Sequence, residues 1–406
     1  MDSSIDYSQY SLSELKDARR SIDAQRYPER AAELERRIAA FSAQAASEPA
    51  SVSREQNDVL RHSPVTFYGS TGEYFSIWIV NVLLSIVTLG IYSAWAKVRT
   101  NRYFYANTDI DGHRFTYLAT PLQILKGRLI AVCLFACYFL LSSLHPLAGA
   151  IVALTLAVLT PVLVVLSYRF KLRMTAYRHV RFHFDGSIKR AFVVLLLLPI
   201  ASVFTLYTIL PIVLKKIDAY LIDGSGYGDR QFSSRLSTAE YYGSGLGALG
   251  IAMGIFMVGG LLLGVSFTLL VTERPTDELQ EGMVSLLSMG FFALYGIAYV
   301  LASGFYSARI RNHIFTHTGV EGVAEFSSNV GVWALIWLRV SNMLGIVCSL
   351  GLAIPWARVR SARFYANATQ VAILPGIEEV VADDPSKVGA LGDEAATLFD
   401  VDVALG

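Results

Sequence analysis

Residues 131–166 read AVCLFACYFLLSSLHPLAGAIVALTLAVLTPVLVVL, without one Asp, Glu, Lys or Arg. A membrane helix needs roughly 20 apolar residues to cover about 30 Å of hydrocarbon. This stretch holds two such helices, joined near His145-Pro146. A second uncharged run extends from Tyr241 to Thr272. The whole chain is 53% hydrophobic and 17% charged, where a soluble domain carries about a quarter of charged residues. A soluble core has no use for so many uncharged helical turns, so the expected class is an all-α polytopic membrane protein.

Working outward, the apolar segments fall at about 74–96, 124–144, 147–168, 191–214, 244–271, 283–305 and 331–356. The joins between them are basic at 97–128, 168–190, 215–235 and 306–325 and after 356, whereas 272–281 is acidic. Cytoplasmic loops are enriched in Lys and Arg. Every basic join faces one side if 74–96, 191–214 and 331–356 dip in and return. Those three segments carry the breakers Gly90, Pro199, Gly345, Gly351 and Pro355. The layout is then four full spans plus three re-entrant or broken hydrophobic hairpins, with both termini cytoplasmic; seven spans is the alternative. Three domains are expected: a soluble helical extension and linker at 1–62, a membrane domain at 63–367 and an acidic cytoplasmic tail at 368–406. The extension is polar and lacks the apolar core of a secretory signal.

The membrane domain reads as internally repeated. Leu89-Gly90-Ile91-Tyr92-Ser93-Ala94-Trp95-Ala96-Lys97-Val98-Arg99 returns as Leu350-Gly351-Leu352-Ala353-Ile354-Pro355-Trp356-Ala357-Arg358-Val359-Arg360. Arg102-Tyr103-Phe104-Tyr105-Ala106-Asn107 returns as Arg363-Phe364-Tyr365-Ala366-Asn367. Phe184-Asp185-Gly186 and Val320-Glu321-Gly322 echo Ile110-Asp111-Gly112. Five units begin near Phe67, Phe115, Phe184, Phe232 and Phe326, each with a short cytoplasmic β-hairpin at a Gly-containing turn.

Phe67-Tyr68-Gly69, Gly72-Glu73-Tyr74-Phe75, Val80-Asn81-Val82-Leu83-Leu84, Thr88-Leu89-Gly90-Ile91-Tyr92 and the Arg102–Asn107 motif resemble the YjgN-like family of uncharacterised bacterial inner-membrane proteins. So do the tail residues Gly392-Asp393-Glu394-Ala395-Ala396 and Phe399-Asp400. The resemblance covers about residues 65–406. It implies an inner-membrane location and an architecture, but no catalytic residue.

No Gly-x-Ser-x-Gly, Walker loop or His-Glu-x-x-His occurs, so no catalytic residue, cofactor or metal is expected. His179/His183 and His313/His317 have one-turn spacing but no nearby Cys, and read as packed or solvated histidines. Cys133, Cys137 and Cys348 lie in apolar stretches and form no disulfide framework. Trp95, Arg99, Arg102, Trp356, Arg360 and Arg363 read as interfacial anchors. Gly243, Gly247, Gly250, Gly254, Gly260 and Gly264 read as a helix-packing face. Asn81, Arg339 and Asn342 are the candidate polar lining of a pathway, because paired Gly/Pro-broken segments at 74–96 and 331–356 point to a transport site. A transporter or channel is the first functional expectation. The alternative is a membrane scaffold or assembly factor acting through its cytoplasmic face. The expected partners are the bilayer, with anionic lipid a candidate, and a protein bound through 1–62 or 368–406, not nucleic acid.

Overall fold

The computed structural model describes residues 32, 34–36, 59–272 and 277–380. The helices expected at 11–45 fall almost wholly outside the described residues, as does the tail from 381 onward. The strands and membrane helices all belong to one compact unit that begins at Val59.

Ten short strands alternate with helix pairs. Strand β1 (Arg61–Phe67) leads into α1 (Thr71–Val87) and α2 (Ser93–Ala106). Then come β2 (Thr108–Ile110), β3 (His113–Tyr117), α3 (Pro121–Leu144) and α4 (Pro146–Arg173). After β4 (Thr175–Tyr177) and β5 (Val180–Phe184), α5 (Ile188–Phe192) passes through a π-helical turn into α6 (Leu198–Phe204), and α7 (Leu210–Asp223) returns. Next are β6 (Ser225–Tyr227), β7 (Arg230–Ser234), α8 (Thr238–Thr272) and α9 (Asp277–Thr316). The last unit is β8 (Thr318–Val320), β9 (Ala324–Ser328), α10 (Val332–Cys348), α11 (Ile354–Asn367) and β10 (Thr369–Ile373), followed by a 3-10 turn, Pro375–Glu378.

The strands form one closed antiparallel barrel in the order β1-β10-β9-β8-β7-β6-β5-β4-β3-β2. Strand β1 closes it, pairing Val65 with Ile110 of β2 and Ser63 with Val371 of β10. This corrects the all-α expectation with short β-hairpins: the hairpins join edge to edge into one closed barrel. The physical reason is plain. A lone two-stranded hairpin is marginal in water, and each hairpin here meets its neighbouring strands only across an intervening helix pair. Every helix pair leaves the barrel and comes back to it, and four helices rather than seven among the described residues are long and apolar enough to cross a membrane.

Two of the expected turns close hairpins. Asp111 (φ 56°) and Gly112 (φ 75°) link β2 to β3, with the positive φ at both central residues that a two-residue hairpin needs. The three residues Glu321-Gly322-Val323 link β8 to β9, and only Gly322 (φ 69°) is left-handed. Phe184-Asp185-Gly186 instead leads out of β5, and the hairpin turn of that unit is Arg178-His179, with φ of 47° and 67°. Gly186 is required for another reason: a Cβ there would sit 2.3 Å from the Phe184 ring.

Aromatic rings fill the barrel. Phe115, Phe182, Phe232 and Phe326 follow one another around the wall with centroids 6.4, 6.3 and 6.1 Å apart. Tyr177 donates its hydroxyl to the Ile110 carbonyl (2.7 Å), and Tyr227 donates to the Tyr177 carbonyl (2.9 Å). Burial raises both phenols, that of Tyr227 up to about 12. A cavity of about 70 Å³ lies among these rings. Val323 and Ile377 join this core, and Gly376 N–H donates to the Gly322 carbonyl (3.0 Å), fixing the 3-10 turn across the β8–β9 hairpin.

Among the described residues four helices are long and apolar enough to cross a membrane: Pro121–Leu144, Pro146–Arg173, and Thr238–Ser266 and Val284–Thr316 within α8 and α9. Helices α1 and α10 are apolar but shorter, about 25 Å at 1.5 Å per residue. Each short pair turns through left-handed residues, Leu89-Gly90, Leu206-Tyr207 and Leu350-Gly351. The closing bonds are alike: Gly90 N–H to Ser85 O, Tyr207 N–H to Ser202 O, and Gly351 N–H to Ile346 O, at 2.7, 2.7 and 2.8 Å. This is the 6→1 bond of a helix C-cap. Within α8, Gly247 meets Phe305 of α9, whereas Gly243, Gly250, Gly254, Gly260 and Gly264 face open space. The expected glycine face therefore packs within the pair at one position.

Candidate functional site

The candidate residues fall in neighbouring helix pairs at the barrel's closure. In the first pair, Asn81 is buried on α1 and donates to the Ala96 carbonyl at 3.4 Å. Arg99 of α2 approaches its side-chain oxygen at 3.5 Å and donates to the Tyr92 hydroxyl at 3.2 Å. In the last pair, Asn342 is buried on α10 and donates to the Ala357 carbonyl and Ser361 Oγ, at 3.4 and 3.0 Å. Arg360 of α11 donates to Asn342 Oδ1 at 3.0 Å and lies over the Trp356 ring at 5.1 Å. Each asparagine thus ties together the helices of its own pair. No hydrogen bond joins the two asparagines among the described residues. Arg339 is half-buried on α10 and makes no hydrogen bond or ion pair with a described residue.

Arg102 and Arg363, also expected as anchors, bond backbone carbonyls. Arg102 donates to the Ala119 carbonyl (3.2 Å), after β3, and Arg363 donates to the Gly69 carbonyl (3.0 Å), after β1. Arg169 reaches the carbonyls of Phe184 and Gly186, after β5, at 3.2 and 3.3 Å. These guanidiniums satisfy carbonyls that the strand leaves open where it gives way to a helix. Trp95 stacks on Tyr92, centroids 6.1 Å apart.

A cleft of about 510 Å³ opens beside Asn81, between α1, α2, α3 and α11. Lys97 of α2, Arg128 of α3 and Arg358 of α11 border it together with Asn101. In the sequence these three cations count only as loop charge. The signal that could have found them is positional: Lys97 and Arg358 both follow a Trp-Ala pair, at Trp95-Ala96 and Trp356-Ala357.

A second polar cluster joins α7, α8 and α9. Tyr241 donates to Asp218 Oδ2 at 2.5 Å, and His313 Nε2 accepts the Ser237 N–H at 2.8 Å. The His317 ring centroid lies 4.2 Å from that of His313. His179 sits in a β-turn and His183 on β5, so helical spacing does not apply to that pair. Among the described residues no three His, Cys, Asp or Glu converge on a metal position.

Burial raises the Asp218 carboxyl, and the Tyr241 hydrogen bond opposes this only in part. A carboxyl raised on folding holds its proton more tightly in the native state. Stability therefore falls as pH climbs from the ordinary carboxylate value through the raised one. Asp218→Asn is expected to remove that loss, so that melting of the variant varies less across this weakly acidic window than melting of the parent.

A closed barrel carrying helix pairs, four of their helices long and apolar enough to cross a bilayer, defines an integral membrane protein. A family model described as "Bacterial protein of unknown function (DUF898)" matches residues 62–398, and the chain belongs to that family. It is 25% identical over 349 residues to "Inner membrane protein YjgN" of Salmonella typhimurium (strain LT2), covering 76% of this chain and 88% of that one. It is 38% identical over 163 residues to the protein of the same name in Escherichia coli O157:H7, covering 40% of this chain and 41% of that one. No solved structure matches.

Proposed function

We propose that this protein is a multi-pass scaffold of the bacterial inner membrane, built from five repeated units and holding its barrel on the cytoplasmic face for a protein partner. The observation that carries the reading is the barrel itself: closed, filled with aromatic rings, and holding both ends of every helix pair. The aromatic rings that fill the barrel, with a cavity of about 70 Å³ among them, argue against a solute path along its axis. The two long pairs stand apart around the ring, with the third pair between them on one side and the fifth and first on the other.

Charge supports the side. Lys126 and Arg128, Lys171 and Arg173, Lys215 and Lys216, Arg309 and Arg311, and Arg358 and Arg360 all lie on helices near the barrel, as expected for a cytoplasmic face. Depth supports the three short pairs as wedges in one leaflet. Leu89, Leu206 and Leu350 at their tips are 94%, 85% and 95% exposed. Lys97 and Arg358 come four residues into the returning helices, about 6 Å along the axis. An apolar tip a turn or so beyond a cation fits acyl chains above phosphates. Arg128, the last charge before the uncharged run of α3, hydrogen-bonds Ser93 at the first residue of α2. That bond sets the first tip close to the level where α3 enters hydrocarbon. The matched contacts of Asn81 with Arg99 and of Asn342 with Arg360 support the repeat.

The test is co-purification from the native membrane with the full chain and with chains lacking 1–58 or 381–406. A defined partner that is lost with either deletion is expected. No partner for any chain, together with solute permeability of reconstituted vesicles that disappears in Arg339→Ala, would replace the scaffold by a transporter.

A further inference from the structure

We propose that the cleft bordered by Lys97, Arg128 and Arg358 binds the phosphate of an anionic amphiphile, with the phosphate among the three cations and the apolar part along α1. The inference stands on the cleft alone and goes beyond the scaffold reading.

Four observations carry it. First, the volume of about 510 Å³ lies within the range of small-molecule sites. Second, the cations come from three different helix pairs, and among the described residues no carboxylate borders the cleft. Arg128 donates to Ser93 Oγ and Arg358 to the Tyr74 hydroxyl (3.0 Å). Both partners are neutral, so among the described residues neither guanidinium is charge-compensated. A guanidinium keeps donors free after one such bond, and planar guanidiniums suit phosphate oxygens.

Third, the cleft is polar at one end and apolar at the other. Asn101 beside the cations makes no hydrogen bond to a described residue, and Trp78, Val82 and Ile86 form the α1 wall. That wall continues into Val87 and Leu89 at the tip, 78% and 94% exposed. A free inorganic anion has no use for such a wall, whereas an acyl or other hydrocarbon part does. Fourth, the polar end lies where α3 carries its last charge before its uncharged run, which is the level of lipid phosphates in a bilayer.

The chemistry recognised is a phosphate ester with unshielded oxygens. It could be presented by a phospholipid headgroup or by a soluble phosphate ester, and the experiment separates the two. The full chain is placed in phosphatidylcholine nanodiscs with and without phosphatidylglycerol, and quenching of tryptophan fluorescence by brominated lipid of each headgroup is read as the difference between the parent and Trp78→Phe, which isolates Trp78 at the wall from the other four tryptophans. Phosphatidylglycerol is expected to bind in preference to phosphatidylcholine. Each of Lys97→Gln, Arg128→Gln and Arg358→Gln should weaken that preference roughly fivefold, from the usual hold of one Lys or Arg on anionic lipid. Lys126→Gln, an exposed cation outside the cleft, should leave it unchanged.

Asn101→Asp guards against misfolding. It is nearly isosteric, its carboxylate is welcome beside three cations, and it fills the anion's place. The variant should melt at or above the parent's temperature yet lose the preference. If glycerol phosphate displaces the brominated lipid at equal concentration, the phosphate site stands and its ligand is a soluble ester. Equal quenching by both headgroups, or an Asn101→Asp chain that keeps the preference, overturns the proposal.

Discussion

Ile373→Asp is expected to leave no folded protein to purify. Ile373 is 1% exposed on β10, opposite Arg61 of β1 and Ala324 of β9, with its side chain in the barrel core. Removing the buried isoleucine side chain alone costs about 2–5 kcal/mol. An uncompensated carboxylate in an apolar interior costs several kcal/mol more, or must take up a proton. The sum reaches the whole stability of an ordinary domain, roughly 5–15 kcal/mol. The effect should spread, because β10 is one of the two strands that hold β1 in the ring. Ile373→Val is the matched control and should cost about 0.5–1.5 kcal/mol. The measurement is recovery of monodisperse protein in detergent, followed by circular-dichroism melts. An Ile373→Asp protein that melts with its parent would mean that the barrel interior is wet.

Tyr74→Ala should produce the second largest loss, about 3–5 kcal/mol, by analogy with other buried aromatic truncations. Tyr74 has no exposed surface. Its ring packs on Tyr103 and Phe104 with centroids 5.3 and 4.8 Å away, and its hydroxyl accepts from Arg358 at 3.0 Å. It therefore joins α1 to α2 and to α11, across the seam where the first and last units meet. Tyr74→Phe keeps the ring and loses only the hydroxyl that accepts from a charged guanidinium, so it should cost about 1.5–2 kcal/mol. The difference between the two variants, read from tryptophan-fluorescence melts, separates packing from hydrogen bonding. Equal losses would place the value of Tyr74 in its hydroxyl.

The membrane helices were legible because their signal is local and long. No competing structure explains residues 131–166, and Lys and Arg gather in the joins between the apolar runs. The hairpin turn at Asp111-Gly112 was legible because its chemistry demands positive φ. The closed barrel was not. Its strands are mostly 3–5 residues long, too short for alternation to distinguish them from loop. The partners of β1 lie at Thr108–Ile110 and Pro64 pairs with Gln370, a distance along the chain that periodicity cannot bridge. Arg178-His179 was missed as a turn because neither residue is a glycine, asparagine or aspartate. Asn81 and Asn342 were picked out as polar groups in broken apolar segments, and both are buried. Lys97, Arg128 and Arg358 were not grouped, since only the closure of the ring brings α3 and α11 to α2.

One-sidedness of the barrel is the claim on which the rest depends, and thiol labelling tests it most directly. In a background with Cys133, Cys137 and Cys348 replaced by serine, single cysteines are placed at the hairpin turns Gly112, His179, Asp229 and Glu321, and at His145 between α3 and α4. Intact cells are then treated with a membrane-impermeant thiol reagent. The barrel predicts labelling at His145 and protection at all four turns until the cells are opened. Labelling of Asp229 or Glu321 from outside would contradict it, because strands on opposite faces of a bilayer cannot share one closed sheet.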